Sequence, residues 1–224
     1  MQNLTPPPSD RTQVRRLPAR GAYDRETVHA ILDAAFLCHV GFAGADGCPV
    51  VIPTAYGRND ETLYLHGSAA SHMLRTLAGA TVEACVTVTL LDGLVLARSM
   101  FHHSMNYRSV MIFGRARVLE TEGAKMDALE TISDQILKGR WQAARLPTAQ
   151  ELKATKVLAL PLAEASAKIR TGPPKDEADD YTLPIWAGVV PVTTVYGAPV
   201  VDPALPSGIP LPTHVKNLGA RVAR

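Results

Sequence analysis

From Asp24 the apolar residues fall at helical spacing. Val28, Ile31, Leu32 and Ala35 stand at i, i+3, i+4 and i+7, with Asp24 placed to cap the first turn. The pattern then changes to short strand-like runs in LCHVGFAGADGCPVVIPTAYGRNDETLYLHG. These predict strands at about 37–43, 49–57 and 62–66, separated by turns at GADG and RNDE. A short helix follows, starting near Ser68 or Ser71 and ending at Gly79. In TVEACVTVTLLDG, Val82, Ala84, Val86 and Val88 alternate with other residues, the mark of a half-buried strand. LVLAR predicts a further strand after a hairpin turn at Asp92–Gly93, and residues 107–119 another.

EGAKMDALETISDQILKG gathers Met126, Leu129, Ile132, Ile136 and Leu137 on one helical face, with Gly139 just past its end. TAQELKAT predicts a short helix, KVLALPLA a strand, TGPPKDEADDYTLP a linker or lid, and WAGVVPVTTVYG a last strand. Six or more antiparallel strands without long crossover helices predict a mainly β fold with inserted helices, an α+β barrel, rather than a parallel dinucleotide-binding sheet. The expected organisation is an N-terminal arm over 1–20, either disordered or laid across a partner, one domain over 21–200, and a Pro-rich tail over 201–224.

Charge narrows the choice of partners. Lys plus Arg is 23 against 21 for Asp plus Glu, which gives no general drive toward nucleic acid or an anionic membrane. No apolar run approaches the roughly 20 residues of a membrane span, and the first residues lack a secretory pattern, so the expected location is cytoplasmic. Cys38, Cys48 and Cys85 show no paired-cysteine spacing and are expected to be reduced and mostly buried.

Two polar clusters carry candidate chemistry. LYLHGSAASHML runs from strand through a Gly/Ser turn into a helix. Ser68, Ser71 and His72 with free backbone N–H groups could seat a phosphate, or the serines could simply cap the helix. HHSMNYRS brings Tyr107 for stacking, Arg108 for a two-bond grip on an anion, and Ser109 as a donor. Lys168 and Arg170 share one side of an extended segment and could form a second anionic grip. Adjacent His102 and His103 should face opposite ways, so no metal site is expected. His39, among apolar neighbours, reads as a core or interface histidine.

LYLHGSAASHML, DGLVLARSMFHHSMNYRSVMIFGRA, ELKAT, and SAKIRTGPP followed by WAGVVP together resemble the pyridoxamine 5'-phosphate oxidase-like family. The likeness is to its flavin-nucleotide-binding branch, related to nitroimidazole-resistance proteins. That resemblance implies a split β-barrel homodimer with FMN in clefts between subunits. It places Val51, Ile52, Pro53 and Thr54 along the flavin ring edge, and His66, Gly67, Ser68, Ser71 and His72 at the phosphate. Tyr107, Arg108 and Ser109 would close the cleft from the other subunit, with Lys168, Arg170 and Trp186 finishing it. The family's oxidases carry an Arg-Lys pair where Ser71 and His72 stand here.

The implied activity is FMN-dependent oxidoreduction by hydride transfer on a small-molecule substrate, with a nicotinamide as a candidate donor; no catalytic residue is singled out. Two alternatives stand beside it. One is a flavin-binding protein without turnover. The other is a heme-binding split barrel using His102, His103 or His214 as axial ligand.

Overall fold

The structure is a computed structural model and describes residues 5–79 and 81–220; the outermost residues of the expected arm and tail lie outside this range. In chain order the elements begin with β1 (Gly21–Ala22), α1 (Arg25–Asp33), β2 (Leu37–Ala43), β3 (Pro49–Asn59), β4 (Thr62–Ser68) and α2 (His72–Leu77). Then come β5 (Ala84–Leu96), β6 (Ser104–Gly114), β7 (Arg117–Val118), α3 (Glu122–Ile136) and α4 (Ala149–Ala154). The chain finishes with β8 (Thr155–Pro161), β9 (Ala165–Arg170), β10 (Gly188–Pro191) and α5 (Thr213–Lys216).

The helix boundaries follow from capping. Asp24, Ser71, Thr121 and Thr148 each accept a backbone N–H from the first turn of α1, α2, α3 and α4, and Thr148 with Glu151 completes a capping box. Past α3, Gly139 takes φ +84°, a left-handed conformation that favours glycine because it has no Cβ.

All strand pairs are antiparallel, in the order β1-β9-β6-β5-β2-β3-β4-β8-β7, with β10 added beside β5. The ends of this path do not pair, so the sheet is an open, split barrel. Both of its halves feed one core: Val40 and Phe42 of β2, Leu63 and Leu65 of β4, Val86 and Val88 of β5, and Leu158 and Leu160 of β8 pack together with Leu32 and Leu74. Helix α3 covers the outside of the β3/β4/β8 half. It lies so close that a Cβ on Gly57 would sit 2.6 Å from the backbone nitrogen of Ile132.

The strand predicted in two pieces around Asp92–Gly93 is one strand, β5. The register against β6 slips between Leu91 and Gly93, so the residues read as a turn form a bulge inside the ladder. The actual connection to β6 is Ala97–His103, and β6 begins at Ser104, so most of HHSMNYRS is already strand. The predicted strand 107–119 ends at Gly114, with only Arg117–Val118 resuming against β8. The last predicted strand shrinks to Gly188–Pro191, and the Pro-rich tail carries the short α5.

The arm docks on its own chain. Thr12 is 2% exposed, Arg11 bridges Glu83 (2.6 Å) and Glu164 (3.1 Å), and Gly21–Ala22 adds a strand to β9. Of the three thiols, Cys38 is buried, Cys85 half-buried and Cys48 exposed, so the expectation of mostly buried cysteines holds for Cys38 and only partly for Cys85. Burial pushes the Cys38 thiol up to about 12, which keeps it protonated and inert. Among the described residues no helix is long and apolar enough to cross a membrane.

Candidate functional site

The split in the barrel falls on β3. Its first half, Pro49–Ala55, pairs with β2, and its second half, Tyr56–Asn59, pairs with β4. Because β4 continues from His66 to Ser68 against β8 instead, no strand pairs with the other edge of Val50–Thr54 among the described residues. A strand edge presents backbone N–H and C=O groups to whatever lies beside it. Along this edge Val51 is 65% exposed, Pro53 is exposed, Thr54 is half-buried, and Ile52 packs inward on the core.

The Gly/Ser turn lies at the same end of the molecule. His72 rests its ring 6.3 Å from that of Phe42, whose strand partner is Val50. In the turn itself the serines act as caps: Ser68 Oγ accepts from Ala70 N–H at 3.2 Å and Ser71 Oγ from Leu74 N–H at 3.4 Å. Capping leaves each hydroxyl hydrogen free to donate outward. A Cβ on Gly67 would come within 3.0 Å of Leu74, so part of the need for glycine there is internal packing. His66 departs from the group. It alternates with buried Leu65 and points away from the barrel, into a cleft of about 410 Å³ beneath α3 lined by Leu129, Ile132 and Trp141. Its Nδ1 is buried without a partner, and burial holds its pKa down.

The remaining predicted residues gather elsewhere, on β6, β9 and the segment before β10. Between β3 and β6 stand β2 and β5, and at about 4.8 Å per strand that is roughly 14 Å. Tyr107 and Ser109 lie on one face of β6, level with Arg170 and Lys168 of β9, and the Ser109 hydroxyl donates to the Lys168 carbonyl at 3.2 Å. Trp186 is 67% exposed and lays its ring over Gly188.

Two of the predicted anion grips are already committed within the chain. Arg108 donates from Nε (3.0 Å) and Nη2 (2.7 Å) to the two oxygens of Asp92, which raises its pKa. Asp92, taken for a turn residue, is therefore its partner across the ladder. Arg170 is 7% exposed and donates to the side-chain oxygen of Asn106 and to the carbonyls of Gly172 and Pro173, so it ties β9 to the turn that follows.

Arg108→Ala and Asp92→Ala should each cost about 1 kcal/mol, the upper range for a partly exposed ion pair. The double variant should be no worse than the worse single one, measured by chemical denaturation. A further loss of bound flavin in Arg108→Ala, absent from Asp92→Ala, would show that Arg108 also reaches a ligand.

Sequence reasoning missed Asp176. It lies in the segment read as a linker or lid, and its carboxylate accepts from the N–H groups of Arg98 (3.0 Å) and Ser99 (3.2 Å) and from the Arg98 guanidinium (3.2 Å). Burial works against its charge, but these donors outweigh it and hold the pKa low. The segment is thus pinned over the Ala97–His103 connection, with Tyr181 under the Arg98 guanidinium at 4.9 Å. No local pattern announces such a pairing, because its members are 78 residues apart. His39 faces outward on β2 and is exposed, which removes the core alternative for it.

An open antiparallel sheet around one core, with a strand edge that no described strand pairs beside a capped serine turn, defines a split-barrel protein. The model of the family described as pyridoxamine 5'-phosphate oxidase matches residues 24–169, and the chain belongs to that family. Two solved structures are similar along almost the whole length. The flavocytochrome Anf3 from Azotobacter vinelandii is 42% identical with a TM-score of 0.89, over 95% of this chain and 98% of its own. The FAD and heme binding protein from Mycobacterium smegmatis is 39% identical with a TM-score of 0.86, over 92% of this chain and 99% of its own. A structure assigned to 5-nitroimidazole antibiotic resistance in Bacteroides thetaiotaomicron shares the fold at 24% identity and a TM-score of 0.56, over 66% of this chain and 86% of its own. No curated protein matches the chain.

Proposed function

We propose that the chain is a flavin- and heme-binding redox protein that works as a homodimer. The observation that carries the flavin part is the unpaired edge of Val50–Thr54 beside the Ser68–His72 turn. A flavin needs an apolar slot for its ring, fixed donors and acceptors at the ring edge, and polar groups at the phosphate. The strand edge offers backbone groups flanked by exposed Val51 and Pro53, and the turn offers the Ser68 and Ser71 hydroxyls with His72 beside them. Both long-range relatives support the pairing of flavin with heme, and the name of the mycobacterial one moves the expectation from FMN to FAD.

The homodimer is part of this proposal, and strand spacing favours it. Tyr107 and Ser109 lie three strands from the β3 edge, so for them to meet a ring lying there a second copy would have to supply them. The outward face of the sheet also exposes Val51, Leu91 and Met111, apolar surface that a partner would cover. A bound flavin supplies two-electron, hydride-transfer chemistry. In this reading the protein's share is to orient the ring on β3, hold the phosphate at the turn and admit a small-molecule substrate, with a nicotinamide as donor.

The test is the absorption spectrum of the purified full-length chain, mass spectrometry of what heat releases, and light scattering for oligomeric state. Flavin bands with a Soret band, released FAD and a dimer mass are expected. A colourless monomer that takes up neither added flavin nor hemin would overturn the reading. Bleaching of the flavin by NADH or NADPH without oxygen would support oxidoreduction, whereas silence toward every donor and acceptor would make the protein a carrier.

A further inference from the structure

The N-terminal arm and the β6/β9 ladder border an open cleft of about 510 Å³. Three cations line it, Arg16 and Arg20 from the arm and Lys168 from β9. Arg20 precedes Gly21, and Gly21 is the strand partner of Lys168, so the ladder itself brings two of the three together. None of the three forms a salt bridge among the described residues. Arg170, two residues along β9 from Lys168, adds a fourth positive charge. It is 7% exposed, its hydrogen-bond partners are the Asn106 side chain and two carbonyls, all neutral, and its Nε is buried without a partner. Burial holds its pKa down, and the charge of Arg20 presses it further. Cations gathered without a carboxylate repel one another and concentrate a positive potential that an anion relieves.

The backbone is strained at the same place. Leu17 takes φ 58°, ψ 63°, a left-handed conformation rare for leucine, and it precedes Pro18, which favours extended backbone in the residue before it. The turn that follows is closed by the Arg20 N–H on the Leu17 carbonyl at 2.9 Å, and it lies against β9. Leu17 and Met105 are exposed and Tyr107 is half-buried, so the cleft offers apolar and aromatic surface beside its cations.

We infer that this cleft holds the adenosine diphosphate moiety of a dinucleotide, with Arg16, Arg20 and Lys168 on the pyrophosphate and Tyr107 against the ring. The inference rests on the flavin reading above and deepens it by giving a place to a second half of the ligand. Arginine grips phosphate oxygens with two parallel bonds, and three cations answer more charge than one phosphate carries. The volume falls in the range of small-molecule sites, roughly 300–1,000 Å³, and is too confined for a protein face. Tyr107 and Lys168 are also the residues that a second copy would bring to the flavin, which sets this cleft next to it. Two dinucleotides carry the moiety, FAD itself and a nicotinamide donor.

The experiment is isothermal titration calorimetry of the full chain, flavin-free or loaded with FMN or FAD, at fixed ionic strength. ADP and inorganic pyrophosphate are the probes, and circular dichroism verifies folding. Both probes should bind the flavin-free chain. Arg16→Gln with Arg20→Gln should weaken both roughly ten- to hundredfold, the effect of losing bonds to a charged group. Tyr107→Leu should weaken ADP and leave pyrophosphate unchanged. If bound FAD excludes ADP and bound FMN does not, the moiety belongs to the flavin. If ADP binds both loaded forms equally and NADH or NADPH displaces it, the moiety belongs to the donor. An arginine variant that binds ADP as the unaltered chain does overturns the assignment. So does an equal loss from Arg117→Gln with Lys153→Gln, cations of the β7/β8 half. A chain that takes up flavin but neither probe overturns the assignment and leaves the flavin reading standing. A chain that binds ADP through Arg16 and Arg20 but takes up no flavin keeps the site and defeats the flavin reading.

Discussion

Valine at position 57 should destabilise the protein by about 3 kcal/mol, the upper end of the usual cost of overpacking. A chain of this size loses about 2–4 °C per kcal/mol, so the melting temperature should fall by roughly 10 °C. The cause is specific. A Cβ on Gly57 would stand 2.6 Å from the Ile132 nitrogen and 2.7 Å from its Cα, and a backbone cannot swing aside as a side chain can. Helix α3 would have to lift off the β3/β4 half, and two links would strain with it. Gln135 donates to the carbonyls of Leu32 (2.9 Å) and Ala35 (2.6 Å), and Lys125 to those of Leu152 (3.3 Å) and Thr155 (3.1 Å). Thermal denaturation followed by circular dichroism reads the effect directly. A melting temperature within 2 °C of the unaltered protein would mean that α3 is not seated on Gly57.

Aspartate at position 71 should separate the cap seen at the serine turn from the phosphate contact proposed there. Ser71 caps α2 through Leu74 N–H, and aspartate caps as well as serine does, so stability should hold. A carboxylate facing the proposed flavin phosphate is another matter. It removes a donor, at about 1.5–3 kcal/mol, and adds like-charge repulsion, so flavin affinity should fall by roughly a hundredfold or more. Flavin titration beside a melting curve gives both numbers in one preparation. Unchanged affinity with an unchanged melting temperature would take the phosphate away from this turn and leave Ser71 as a cap only. Ser71→Ala serves as the converse, since it loses both the cap and the donor.

Much of the scaffold was legible because it rests on neighbours in sequence. The spacing of Val28, Ile31 and Leu32 marked α1, the turns at GADG and RNDE bounded β2, β3 and β4, and the alternation of Val82, Ala84, Val86 and Val88 marked β5. Each depends on contacts a few residues apart, where composition and period suffice. The misread stretch at Asp92–Gly93 shows the limit. Asp-Gly between apolar runs favours a hairpin locally, but eleven residues of pairing with β6 and the added β10 outweigh that preference and turn it into a bulge. Candidate site residues were legible as types, by the presence of Ser, His, Tyr, Arg and Lys near strand ends. Their assignments were not, because an arginine's work depends on which carboxylate the fold brings to it.

What the sequence determined by itself is therefore the run of elements, the caps that bound them, the mainly antiparallel β class and the residue types at its polar turns. The tertiary structure alone decided the rest. It set Asp92 against Arg108 and closed Asn106 and two carbonyls around Arg170. Among the described residues it left one edge of Val50–Thr54 without a strand partner, and it laid the N-terminal arm so that Arg16 and Arg20 line one cleft with Lys168. These are meetings of residues from distant parts of the chain. Charge balance and hydrogen-bond satisfaction at such points depend on the closed fold, and no local pattern carries them.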